Sequence, residues 1–332
     1  MSANNSQALL KPVWSDQHII LEFFDTSLRG CAQVMFQNNP VTGLFFFAAI
    51  FVGAYSEGVP AVAWGCLLGT LVATLTGYLT IKDRKSLRAG LYGYNGCLVG
   101  AALPTFLAAT PIIWASIVLG SIVSVIVTVC IADILKTWKV AALTAPFVLT
   151  TWIILLASYS FAHIPGIDLP ETVLPRQIDV HDLHAFLHSS ADWMSIFSGI
   201  SEVFLISNVV SGVLFLIGLA VESVWAALFA LVGSSLALMT AIVLGANGHS
   251  IAIGMYSFSA VLTAIALGST FNKPTFRVVI YTVIGVFFTV FTQGALNTAL
   301  APIGIPTLTM PFVLASWLFL VPNKEIMPEH RK

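Results

Sequence analysis

Charge is what this sequence has least of. Its 332 residues include 14 Lys/Arg and 15 Asp/Glu, and 58% are hydrophobic with a mean hydropathy of +0.93. A water-soluble domain carries roughly a quarter charged residues, so a chain this poor in charge uses lipid as its solvent. A net charge of −1 with no basic patch excludes a nucleic-acid partner. The four cysteines, Cys31, Cys66, Cys97 and Cys130, lie far apart in apolar segments, with no C-x-x-C pair and no neighbouring His. They read as small buried residues and exclude a cysteine metal site. Residues 1–17 have one Lys and no short apolar run leading to a cleavage site, which excludes a removable signal peptide.

What is present is a succession of apolar stretches, at about 40–55, 60–81, 90–108, 111–132, 140–161, 208–221, 224–245, 250–268, 277–296 and 307–321. They predict an all-α polytopic membrane protein of ten transmembrane helices, several shorter than the ~20 residues of a full crossing. Two stretches of about ten residues, 27–37 and 195–207, suit re-entrant half-helices. With both termini cytoplasmic, Lys82, Arg84, Lys85, Arg88, Lys136, Lys139, Lys273, Arg277, Lys324, Arg331 and Lys332 all fall inside, and Arg176 alone falls outside. The expected organisation is a cytoplasmic segment 1–19, a first unit 20–161, an outer linker 162–192, a second unit 193–321 and a cytoplasmic tail 322–332. In the linker, His181, His184 and His188 would share a helical face, open to metal binding or to the plainer reading of a solvated connection.

The chain repeats itself. Leu143-Thr144-Ala145-Pro146-Phe147-Val148-Leu149 and Leu308-Thr309-Met310-Pro311-Phe312-Val313-Leu314 agree at six of seven positions, and Trp152 and Trp317 follow at the same distance. Gly90, Tyr92, Tyr94 and Leu98 align with Gly254, Tyr256, Phe258 and Leu262. Gly30, Gln33, Val34, Asn39 and Gly43 align with Gly199, Glu202, Val203, Asn208 and Gly212. Each copy holds one half-crossing and five spans. Five is odd, so the copies are expected to enter the membrane in opposite senses, as inverted repeats with a path near the midplane where broken helices meet.

The repeated residues suggest what lines such a path. Glu202 at membrane depth costs about 2.5–3.5 kcal/mol on insertion scales and needs a reason. It is either a structural carboxylate, with Arg29 the obvious partner, or an acceptor at a pore mouth. Its mate Gln33 shares a side-chain carbonyl oxygen rather than a charge. Tyr94 with Leu98, and Phe258 with Leu262, are i, i+4 pairs, each on one helix face, and would wall an apolar slot or serve ordinary packing. Thr144 and Thr309 stand two residues before Pro146 and Pro311, which break the helical ladder and free nearby carbonyls. Lys139 is only five residues before Thr144, so Thr144 reaches the midplane only if residues 139–144 are not helical. Acceptors and apolar walls with little charge suit a flat, neutral solute with several N–H donors, such as urea.

These residues resemble the urea transporter family, whose L-P-x-x-T-x-P-F motif occurs once per half. Ile305-Pro306-Thr307-Leu308-Thr309-Met310-Pro311-Phe312 matches with Ile for Leu; Val140-Ala141-Ala142-Leu143-Thr144-Ala145-Pro146-Phe147 keeps only Thr-x-Pro-Phe. The resemblance spans about 20–321 and implies a passive, channel-like urea path in each protomer of a homotrimer in the bacterial inner membrane, without a cofactor. It implies slots at Gln33, Val34, Phe36, Tyr94 and Leu98 and at Glu202, Val203, Leu205, Phe258 and Leu262, with Thr144 and Thr309 at the constriction. Tyr94 stands where the family pattern leads to Phe, adding a hydroxyl that needs a partner, and Leu205 is paired with Phe36, so the slots should differ in width. Other readings are a channel for ammonia, water or short amides, and an ion-coupled transporter using Glu202. Asn39-Pro40-Val41 is faintly similar to the aquaporin Asn-Pro-Ala, but the second copy reads Asn208-Val209-Val210. No nucleophile and base stand together in the spans, so an enzyme is not expected.

Overall fold

The computed structural model describes residues 19–175 and 193–322, which are helical with no strand beyond one isolated bridge between Leu107 and Gly166. His181, His184 and His188 lie outside the described residues. The first seven helices are α1 Ile19–Gln33, α2 Pro40–Ser56, α3 Pro60–Thr80, α4 Arg84–Arg88, α5 Tyr94–Phe106, α6 Pro111–Leu135 and α7 Ala145–Ser158. The next seven recur in the same order: α8 Ser195–Ser201, α9 Val209–Glu222, α10 Val224–Val243, α11 Gly248–Ala252, α12 Phe258–Ile265, α13 Phe276–Leu300 and α14 Met310–Leu320.

Four of these helices, α3, α6, α10 and α13, are long and apolar enough to cross a membrane. They are two pairs of repeat mates. A fifth crossing arises if α8 with its following turn and α9 count as one span, bent by 74°. Helices α2, α7 and α14 are shorter apolar helices, as is α12 with the π turn Ala266–Thr270 that follows it. Small polar side chains are set among the apolar residues of the core, and large apolar side chains cover much of the outer surface. Thr42, Thr70, Thr151, Ser211, Ser234, Thr263, Thr289 and Gln293 are fully buried, whereas Leu119, Ile126 and Ile134 of α6 and Ile284 and Phe291 of α13 are more than half exposed. An apolar exterior of this kind suits a lipid surround.

Local chemistry explains the helix starts. Asn39 and Asn208 have extended backbones, and their side chains accept from Val41 N at 2.8 Å and Ser211 N at 3.0 Å. These repeated asparagines are therefore N-caps, and Pro40 stands at the first position of α2, where a missing N–H costs nothing. Gly43 and Gly212 allow α2 and α9 to lie against α1 and α8: a Cβ on either would overlap a carbonyl oxygen, of Leu28 or of Phe197. Gly90 and Gly254 have φ of 78° and 83° and press on the backbone at Arg29–Gly30 and Ser198–Gly199.

The two sets of helices are joined reciprocally along α2 and α9. Thr42 Oγ1 donates to Gly218 O at 2.9 Å, and Ser211 Oγ donates to Ala49 O at 2.8 Å. Phe46, Phe204 and Phe215 interlock beside them, with Phe204 and Phe215 stacked at 4.8 Å. Gly43→Ala and Gly212→Ala should each abolish recovery of folded protein in detergent. Gly294→Ala, where a Cβ meets nothing within 4 Å, should raise the melting temperature, since alanine favours a helix interior by about 1 kcal/mol. Size-exclusion profiles and thermal melts check both.

Candidate functional site

Helix α1 ends at Gln33 and closes through two tight bonds, Val34 N to Cys31 O and Phe36 N to Gln33 O. Helix α8 ends through the 3₁₀ turn Glu202–Phe204. Phe36 and Leu205, repeat mates, then take left-handed backbones with φ of 65° and 60°. Such a conformation costs a side-chain-bearing residue about 1–2 kcal/mol. Its recurrence at one position of both copies marks the turns that follow α1 and α8 as constrained points of the fold. Val34 and Val203 are buried, and the Phe36 ring packs edge-on against Phe271 and Phe312 of the other half, 5.9 and 6.0 Å away.

The polar mates behave differently. Gln33 Nε2 donates to Ala89 O at 2.9 Å, which fixes the carboxamide and leaves its oxygen turned from that bond. Glu202 is partly buried, and its carboxylate has no hydrogen-bond or ion-pair partner among the described residues. Arg29 does not serve it. The guanidinium is buried against Asp25, 2.7 Å away, and also donates to Asn38 O and Oδ1. Of the two readings of Glu202, the pairing with Arg29 does not occur, because Asp25, one turn before Arg29 on the same helix, takes that charge.

Tyr94 and Phe258 open α5 and α12, with Leu98 and Leu262 one turn on and fully buried. The Tyr94 hydroxyl donates to Leu143 O at 2.6 Å. Phe258 has no hydroxyl, so the matching Leu308 carbonyl receives no such bond. The remaining polar anchor was not singled out in the sequence: Asn95, fully buried beside Tyr94, accepts from Phe147 N at 3.2 Å and donates to Thr128 Oγ1 at 3.1 Å. It satisfies an orphan N–H in the first turn of α7. Its mate is Ser259, so symmetry gives no clue; an amide within a buried apolar helix is the available signal.

Residues 139–144 and 304–309 are not helical, as the depth of Thr144 requires. Leu143 and Leu308 have φ of 52° and 49°. The two threonine hydroxyls, Thr144 Oγ1 and Thr309 Oγ1, meet at 2.6 Å, 165 residues apart. The segments are held from opposite sides: Trp152 Nε1 donates to Pro306 O at 2.8 Å, and Trp317 Nε1 donates to Ala141 O at 3.0 Å. The repeated tryptophans are thus tethers across the two halves. A molecule moving between the threonines must exchange their mutual bond for bonds to itself. The site offers carbonyl, carboxamide, carboxylate and hydroxyl oxygens beside buried apolar walls, and among the described residues no His, Cys, Asp or Glu group is arranged to hold a metal ion.

Comparison with known proteins bears on the same span. Residues 24–324 match the family described as urea transporter. Urea transporter 1 of Ovis aries is 29% identical over 323 residues, covering 94% of this chain and 82% of its own. Urea transporter 1 of Rattus norvegicus is 28% identical over 315 residues, covering 93% and 79%. With nearly its whole length matched, the chain belongs to the urea transporter family.

Proposed function

We propose that this protein conducts urea passively across a membrane, through a path on which Thr144 and Thr309 form the constriction. The observation that carries this reading is the 2.6 Å bond between the two repeat-mate hydroxyls where the two halves' broken segments converge. Family membership and the urea transporter relatives supply the solute. Membership also makes the protein a transporter rather than an enzyme. Urea is planar, with N–H donors at its edge and apolar faces. Oxygens of Gln33 and Glu202, with main-chain carbonyls, would accept from its edge, while Val34, Phe36, Tyr94, Leu98, Val203, Leu205, Phe258 and Leu262 would flank its faces.

The reading includes two inverted repeats, over 20–161 and 193–321, in a ten-span arrangement. Helix α7, at 14 residues, covers roughly 21 Å, short of the ~30 Å hydrocarbon core. The six non-helical residues before it can add up to roughly 20 Å, and α14 would be completed in the same way. The basic residues of the loops support cytoplasmic termini. A homotrimer in a bacterial inner membrane, each protomer with its own path, completes the proposal.

Purified protein in liposomes should equilibrate urea by stopped-flow light scattering with no ion gradient applied. Flux no faster than in empty vesicles, or flux only with a proton or sodium gradient, would overturn the reading. Thr144→Val and Thr309→Val should each slow flux by about two- to tenfold, the kinetic equivalent of one hydrogen bond, with unchanged thermal stability as the control for folding. Glu202→Gln should keep flux within about twofold, because the amide retains the acceptor oxygen, whereas Glu202→Leu should lower it several-fold. Equal loss in both variants would show that the charge matters.

A further inference from the structure

Three of the four cysteines, spaced too widely to read as a motif, meet in space. Cys31 of α1, Cys66 of α3 and Cys97 of α5 are wholly buried. The Cys66 and Cys97 thiols lie 3.1 Å apart, and Cys31 belongs to the same buried cluster. The cause is steric. Gly65 and Gly69 of α3 press on Gly100 and Gly96 of α5 so closely that a Cβ at any of the four would strike a main-chain carbonyl of the other helix. Cys66 and Cys97 each follow one of these glycines, so backbone contact brings their sulfurs together. In the second half the matching positions are Ile200, Ala230 and Val261, all buried. Apolar side chains therefore fill the equivalent space, and packing alone does not call for thiols.

We propose that Cys66 and Cys97 are an oxidisable dithiol, a modification site for a small neutral peroxide, that closes into a disulfide joining α3 to α5. The Cys97 sulfur attacks one peroxide oxygen. The O–O bond breaks, and the departing hydroxide takes the thiol proton and leaves as water. The resulting sulfenic acid is attacked by the Cys66 sulfur, the S–O bond breaks, and its hydroxyl leaves as a second water with the Cys66 proton. Two sulfurs are oxidised and both peroxide oxygens are reduced. The helices already touch, and the bond draws the two sulfurs from 3.1 Å to about 2.05 Å. It closes a loop between residues 31 apart in sequence, which restricts the unfolded chain.

The test uses the full-length protein in detergent, treated with hydrogen peroxide, denatured and alkylated. Of its four free cysteines, two should become resistant to alkylation, peptide mapping should join the Cys66 and Cys97 peptides, and the melting temperature should rise and revert with a thiol reductant. Cys66→Ala and Cys97→Val, side chains taken from the matching positions of the second half, should fold and lose all three effects, whereas Cys31→Ile should keep them. Four alkylatable cysteines after peroxide, or a link from Cys31 in place of Cys66, would overturn the proposal. None of these readouts depends on urea movement.

Discussion

Backbone groups at membrane depth must be satisfied without water, and the fold follows from how the chain meets that demand where its helices break. Lipid tolerates a helix because the helix satisfies itself, and it tolerates a break only where other protein groups supply the missing partners. Helices α7 and α14 begin late, after stretches whose carbonyls face no helical neighbour. Trp152, Trp317 and Tyr94 donate to three of those carbonyls, at Pro306, Ala141 and Leu143. Asn95 accepts the N–H that the first turn of α7 leaves over. With these donors in place, the broken segments lie side by side in the interior, and the threonines touch.

Strain is concentrated at the same places. The side-chain-bearing residues with positive φ are Phe36, Lys139, Leu143, Leu205 and Leu308 among the described residues. Phe36 and Leu205 follow α1 and α8, Leu143 and Leu308 precede the threonines, and Lys139 matches Gly304, which is also left-handed. A chain that selected only for stability would put glycine at each of them. Holding leucine and phenylalanine there aims apolar side chains, rather than bare backbone, at the region where the two halves meet.

Much of this was legible in the sequence because the duplication reports structure twice. Positions kept in both copies proved to be caps (Asn39, Asn208), close contacts (Gly43, Gly212), turns (Gly90, Gly254) and tethers (Trp152, Trp317). What one copy carries alone was harder to read. The partner of Tyr94 is a main-chain carbonyl, which no side-chain pattern announces. Asn95 has a serine as its mate. Arg29 stands out in the sequence as the cation available to Glu202 if that carboxylate is structural, yet Asp25, four residues earlier on the same helix, pairs with it. The Cys66 and Cys97 thiols converge through a glycine crossing of α3 and α5, and spacing along the chain contains no trace of it.

The reciprocal bonds between the halves have a consequence for folding. Thr42 and Trp152 complete carbonyls of the second half, and Ser211 and Trp317 complete carbonyls of the first. One unit folded alone would leave these donors and acceptors without their partners, and an unmade bond away from water is costly. Neither half is therefore a finished structure, and each matures only against the other.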